Sequence, residues 1–232
     1  SPTSISSGTC RLLDAAAQQR WVRADSPNPM TTPLPIPAGL QVMLADVCGG
    51  SESPSMARKV LAWKREQRGV VGADGDIPHW DVLKETNMHI AKLLQDLAKE
   101  TIDAATLSTL PASEWPKTLA DGSTSSSTQL LIELHQSFLT TRRQLKAMGD
   151  SAGVPIEPAE QTEICDATMQ LPGVVAALVP GAGGYDAVAC LYIDTEETKN
   201  GIGKLWSEWN KNGQIICPLA VQATHQGLQV HF

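Results

Sequence analysis

Aromatic residues are scarce in this 232-residue chain: two Phe and two Tyr, with six Trp supplying most of the 4% total. Basic charge is scarce as well. Eighteen Lys and Arg face 25 Asp and Glu, for a net charge of −7. That balance argues against a nucleic-acid partner, because no basic excess remains to neutralise phosphates. No apolar run reaches the length of a bilayer span, and no secretory leader opens the chain. A cytoplasmic protein without a membrane partner is therefore expected. The first residue is Ser rather than Met, so further chain is expected upstream. Paired cysteines are missing too. Cys10, Cys48, Cys165, Cys190 and Cys217 are scattered singly with no CxxC, which fits reduced, mostly buried thiols better than a disulfide framework. There is no HExxH, no paired zinc spacing and no GxSxG elbow, so no metal site is expected. The five histidines stand alone, as surface or satisfied core residues do.

What is present is a globular composition, 42% apolar and 19% charged, in a chain long enough for a sizeable core. Residues 1–38 are rich in Ser, Thr and Pro and read as an extended connector, with a short helical patch near Leu12 to Val22. Residues 39–232 read as the folded domain. Gly39 to Val47 alternates Leu40, Val42 and Leu44 and predicts a strand. The turn Cys48-Gly49-Gly50-Ser51-Glu52-Ser53 follows, and Pro54 opens a helix to about Arg68 with Met56, Val60, Leu61 and Trp63 inward. The acidic loop ADGDIPHWDVLKE places Asp74, Asp76 and Glu85 at calcium-loop positions. However, it has Pro78 at position five and His79 where the motif needs glycine, which excludes calcium there.

Helices are expected over Trp80 to Glu100 and Thr128 to Met148, the latter with Arg142, Arg143 and Lys146 near its end. Gly149 to Pro158 reads as a turn, and Gln161 to Leu171 as a short helix. Two apolar runs, Val174 to Val179 and Ala187 to Ile193, flank Pro180-Gly181-Ala182-Gly183-Gly184 and read as buried strands joined by a tight loop. A helix carrying Ile202, Leu205, Trp206 and Trp209 follows, then strands at Gln214 to Val221 and Gly227 to Phe232. The order β, three helices, short α, ββ, α, ββ defines an α+β fold with an antiparallel sheet packed on helices.

The glycine loop is the best candidate for a working site. It is neither a Walker loop nor a dinucleotide fingerprint, since no Gly-Lys-Ser/Thr follows and the next element is a strand. Its backbone N–H groups can meet an anion, or its glycines can serve packing alone. The turn at Ser51 and Ser53, before a helix, offers a second anion site; Ser capping of that helix is the alternative. Arg142 and Arg143 suit either a solvated helix face or an anionic ligand nearby.

Four segments together carry a resemblance. VPGAGGYDAVAC resembles the third motif of the GHMP small-molecule kinases, in the form found in eukaryotic, especially fungal, phosphomevalonate kinases. RRQLKAMGDSAGVPIEPAEQTEICDATMQLPGV is similar to that family's approach to the motif. GLQVMLADVCGGSESPSMARKVLAWK is similar to its strand, Gly-Ser turn and helix, and KLWSEWNKNGQIICPLAVQ to its closing helix and strand. The resemblance spans roughly residues 39–221, and PGAGGYDA is its most specific part. It implies a GHMP-kinase C-terminal domain with a ferredoxin-like antiparallel sheet packed against helices.

The activity implied is ATP-dependent phosphorylation of 5-phosphomevalonate to the diphosphate, a step of the mevalonate route to isoprenoids and sterols. ATP and Mg²⁺ would be bound mainly by an N-terminal lobe bearing a Gly-Leu-Gly-Ser-Ser loop and a catalytic Asp. Neither feature occurs in this sequence, so no catalytic residue is assigned within the chain. The resemblance implies substrate binding by Ser51, Ser53, Gly181, Ala182, Gly183 and Gly184, with Asp186 bracing the loop and Arg142 and Arg143 as candidates for charge neutralisation. Mevalonate kinase, diphosphomevalonate decarboxylase and a non-catalytic ligand-binding domain of the same fold are the competing readings.

Overall fold

A computed structural model of the chain describes residues 34–47, 49–50, 53–118 and 125–219. From Ile36 onward the described residues belong to one compact unit. Strand β1 (Leu40–Val47) leads into helix α1 (Ser53–Val71). Helix α2 (Trp80–Leu97) follows, then two single-turn helices, α3 (Ala104–Leu107) and α4 (Trp115–Thr118). Next come the 27-residue helix α5 (Ser126–Ala152) and helix α6 (Ala159–Met169). Strands β2 (Val174–Leu178) and β3 (Ala187–Ile193), helix α7 (Glu196–Ser207) and strand β4 (Ile216–Leu219) complete the unit. The sheet order is β2-β3-β1-β4, antiparallel throughout. The α+β fold is therefore a four-stranded antiparallel sheet packed against helices.

Both faces of the sheet are covered, and the strand residues divide between them with period two. Ala45 and Val47 of β1, Val188, Cys190 and Tyr192 of β3, and Ala177 of β2 pack with Ile164 and Cys165 of α6 and Ile202 and Trp206 of α7. On the opposite face, Leu40, Val175, Leu191 and Ile193 pack with Ile90, Leu93 and Leu97 of α2 and Leu131 and Leu134 of α5. This burial explains the nearly unbroken apolar runs around the glycine loop: neither side of those strands faces water. In β1, the strand expected from the alternation of Leu40, Val42 and Leu44, Leu40 packs on one face and Ala45 and Val47 on the other. A third cluster joins Met56 and Trp63 of α1, Ile77, Leu83 of α2, Met148 of α5, and Val154 and Ile156 of the segment after α5.

Local chemistry sets the helix ends. The hydroxyl of Ser125 accepts the Thr128 N–H at 3.2 Å to start α5, and Gly153 ends it with φ +64°. Thr195 caps α7 in the same way, ahead of Glu196 and Glu197 in the first turn. Helix α1 runs three residues past the expected end because the Arg68 guanidinium donates to the carbonyls of Gly72, Ala73 and Gly75 at 3.1, 3.0 and 2.7 Å. Leu61, expected inward, is 50% exposed: Met56, Val60 and Trp63 make the inner stripe and leave it on the outer side. The connector up to residue 33, its helical patch and the strand expected over Gly227 to Phe232 lie outside the described residues.

Candidate functional site

The register of β1 on β3 brings the two glycine turns to one end of the sheet. Asp46 pairs with Ala187, and the Val47 N–H donates to the Asp186 carbonyl at 2.9 Å. The end of β1 therefore meets the start of β3. Gly49 sits against Tyr185: a Cβ at Gly49 would lie 2.9 Å from the Tyr185 Cβ and 3.0 Å from its carbonyl oxygen. In the loop, Gly181, Gly183 and Gly184 adopt φ of +68°, +84° and +99°. Gly183 is the position where nothing larger fits, since a Cβ would stand 2.5 Å from the Ile156 carbonyl oxygen and 2.7 Å from its Cα.

The four loop N–H groups divide by role. Gly183 N–H closes a turn on the Pro180 carbonyl at 3.4 Å, and Gly184 N–H donates to the Ile156 carbonyl at 2.9 Å. Gly181 and Ala182 are exposed, and neither N–H makes a backbone hydrogen bond among the described residues. Of the N–H groups expected to face an anion, these two are left without a backbone acceptor, and the other two hold the loop in shape.

The Arg142 side chain is engaged beneath the loop rather than on a solvated face. Its Nη2 and Nε donate to the two carboxylate oxygens of Glu157 at 2.5 and 3.1 Å, and its Nη1 donates to Asp166 at 2.8 Å. Both members of the Arg142–Glu157 pair are buried, with side chains 8% and 5% exposed. The guanidinium pKa is raised above its ordinary value: burial works against the charge, but the bonds to Glu157 and Asp166 prevail. Lys146 donates to the Glu157 carbonyl at 3.0 Å and to Thr162 at 3.3 Å, and Thr162 donates to the Glu157 carboxylate at 3.1 Å. Leu139, Arg142, Arg143, Lys146, Glu157, Thr162 and Asp166 line a shallow cavity of about 260 Å³ over this network.

The remaining sequence candidates fall as follows. Arg143 is exposed and donates to the Thr140 hydroxyl at 3.0 Å. Asp186 contributes its backbone carbonyl to Val47; no hydrogen bond to its carboxylate occurs among the described residues. Ser53 is the first residue of α1, beside the Gly49–Gly50 turn, and Ser51 lies outside the described residues. Ile156, Glu157 and Tyr185 were not among the sequence candidates, and Lys146 was marked only with Arg142 and Arg143 as the cationic end of its helix. The prolines flanking Ile156-Glu157 were the available signal, marking an extended segment that cannot continue a helix. Among the three described cysteines, Cys165 and Cys190 are buried, and burial pushes the Cys165 thiol up to about 12. Neither thiol is disposed to act as a nucleophile at neutral pH. No three His, Cys, Asp or Glu side chains gather as a metal site among the described residues. None of the described helices is long and apolar enough to cross a membrane.

The α+β domain thus brings Gly49 and Gly50 to the same end of the sheet as the Gly181–Gly184 loop. Its relatives are specific. Phosphomevalonate kinase erg8 of Aspergillus fumigatus is 31% identical over 179 residues, covering 77% of this chain and 31% of that protein. Phosphomevalonate kinase ERG8 of Gibberella zeae is 30% identical over 195 residues, covering 84% of this chain and 36% of that protein. The peroxisomal phosphomevalonate kinase of Arabidopsis thaliana is 31% identical over 170 residues, covering 70% and 32%. The chain is thus a homologue of the phosphomevalonate kinases and spans about a third of the length of the curated relatives it matches. No family model matches it. The crystal structure of a Lin0012 protein from Listeria innocua aligns with 91% of this chain and 47% of that one, at 18% identity and a TM-score of 0.46.

Proposed function

We propose that the chain is the C-terminal part of a phosphomevalonate kinase, with residues 39–232 as its GHMP-type C-terminal domain and residues 1–38 as a connector. The whole enzyme would move the γ-phosphoryl group of ATP onto the phosphate of 5-phosphomevalonate in the cytoplasm, as a step toward isoprenoids and sterols. The similarity to phosphomevalonate kinases across 69–84% of the chain carries this reading. The paired glycine turns support it, because phosphoryl transfer relies on positioning and charge stabilisation more than on covalent chemistry by the protein.

In this reading the Gly181 and Ala182 N–H groups donate to an anionic oxygen of the substrate, and Gly183 and Gly184 keep that surface free of side chains. Ser53 and, in the same Gly-Ser segment of the sequence, Ser51 would add hydroxyl donors. Arg143, whose guanidinium stays exposed, is the better-placed of the two arginines to offset charge, and Asp186 braces the loop through its main chain. The described residues offer no three-ligand cluster for Mg²⁺. In this reading the metal and the ATP phosphates are held mainly by an N-terminal lobe, which would also bring the catalytic Asp.

Two measurements test the proposal. The 232-residue chain incubated with phosphomevalonate and MgATP should release no ADP above a no-protein control; turnover would overturn the assignment of catalysis to the other lobe. Calorimetric titration of phosphomevalonate should show binding to the wild type that is weakened in Gly183→Val, and equal affinities would remove the glycine loop from the site. Binding of mevalonate or diphosphomevalonate in preference to phosphomevalonate would favour the sister enzymes of the same fold.

A further inference from the structure

Between the cationic end of α5 and the glycine loop runs an unbroken mechanical connection that neither the relatives nor the sequence pattern assigns. Arg142 grips both carboxylate oxygens of Glu157, at 2.5 and 3.1 Å, and Lys146 grips the Glu157 carbonyl at 3.0 Å. The side chain and the main chain of Glu157 are thus both fixed to α5. The preceding residue is Ile156. Its carbonyl accepts the Gly184 N–H at 2.9 Å, and its backbone lies so close to Gly183 that no Cβ fits between them. On the α5 side, the Ile156 Cβ stands 3.2 Å from where a Cβ of Gly149 would be, so this segment is confined from both directions.

A buried ion pair is a poor means of stabilising a fold, since apolar residues of similar volume often do as well, but a two-point Arg–carboxylate contact fixes direction as well as distance. We infer that Arg142 and Glu157 are positioning residues: through Ile156 they set the height and orientation of the Gly181–Gly184 loop and so the aim of its outward N–H groups. Arg142 is thereby withdrawn from direct charge neutralisation. Asp166, 58% exposed, is satisfied by water when Arg142 is absent, and the contacts of Lys146 to the Glu157 main chain and Thr162 do not depend on the carboxylate.

The test is the double variant Arg142→Met/Glu157→Met in the full 232-residue chain, which removes both charges and keeps the bulk. It should melt close to the wild type, while the Gly184 amide exchanges with solvent roughly tenfold faster and Leu191 in the centre of β3 is unchanged. Wild-type exchange at Gly184 in the folded variant would overturn the inference. Should the double variant fail to fold, Arg142→Lys, which keeps the charge and loses the fork, carries the same test: faster Gly184 exchange beside unchanged Leu191 supports the strut, and unchanged Gly184 overturns it. A second readout rests on the proposed function. Titration with inorganic pyrophosphate should shift the Gly181 and Ala182 amides in the wild type, with affinity roughly tenfold lower in the variant. Wild-type amides that do not move would overturn the ligand role of the loop, and the exchange result would still decide the strut.

Discussion

Gly181 and Gly183 are two residues apart and share a left-handed backbone, yet their surroundings differ. A side chain at Gly181 would meet open space, whereas at Gly183 it would meet the Ile156 backbone. Gly181→Ala should therefore cost only the backbone strain, about 1 kcal/mol. Gly183→Ala adds steric overlap to that strain and should cost about 2–4 kcal/mol. Urea unfolding of the two variants checks this, and equal losses would mean that Ile156 yields easily. His135 offers a second test at this scale. It is buried in α5, and because a carbonyl can only accept, its Nδ1–H must donate to Val175 at 2.7 Å. The β2 ladder is irregular between Val174 and Ala176, and the Val175 carbonyl at that irregularity turns to the helix instead. Burial lowers the His135 pKa below its ordinary 6.5, partly opposed by this hydrogen bond. A depressed histidine pKa favours proton uptake by the unfolded chain. Its contribution is therefore constant above about pH 6.5 and is lost as pH falls below that value toward the lower folded pKa. Unfolding free energy measured from pH 8 to 5 should fall on the acid side, and more steeply in the wild type than in His135→Leu.

At the scale of elements, α5 carries the most connections. It covers one sheet face, runs beside α2, and ends in the side chains that hold the segment under the glycine loop. Its start depends on the Ser125 hydroxyl taking the Thr128 N–H. Ser125→Ala should cost about 1 kcal/mol in a urea titration, and Ser125→Asp should restore most of it. Apolar spacing was enough to find α2, α5 and α7, spacing with a Ser-Pro start signal to find α1, and the glycine-flanked runs to find β2 and β3. Helix ends and the small helices α3 and α4 were not legible. Arg68 extends α1 through carbonyls up to seven residues away, and Trp115 is held by its indole N–H to the Leu107 carbonyl at 3.0 Å. Neither contact has a periodic signal. Leu61 was misplaced for a related reason: spacing marks a stripe, but the packing partners decide how wide it is.

The whole unit is a sheet clamped between two helical layers, and Trp206 is central to one of them. It is fully buried among sheet, α6 and α7 residues, and its indole N–H donates to the Thr168 hydroxyl at 2.9 Å. Trp206→Ala should lose about 3–5 kcal/mol, enough to unfold a marginal domain at moderate temperature. Trp206→Phe keeps most of the ring and should lose much less. Thermal melts of both variants decide it, and similar losses would mean that the hydrogen bond rather than the volume matters. This core fixes the relative height of α6 and β2, and with it the loop that joins β2 to β3.

The sequence by itself determined the longer helices, the strands β1 to β4, the α+β class and the glycine loop, because periodicity, caps and turn glycines are local properties written in neighbouring residues. It also determined, through PGAGGYDA and its company, which kinases the chain resembles. Only the tertiary structure decided that Gly49 and Gly50 lie at the same end of the sheet as that loop, that Gly183 is glycine because Ile156 leaves no room, and that Arg142 belongs to the inside of the molecule. Those facts join residues that lie far apart along the chain. They follow from strand register and helix packing, which no local pattern encodes.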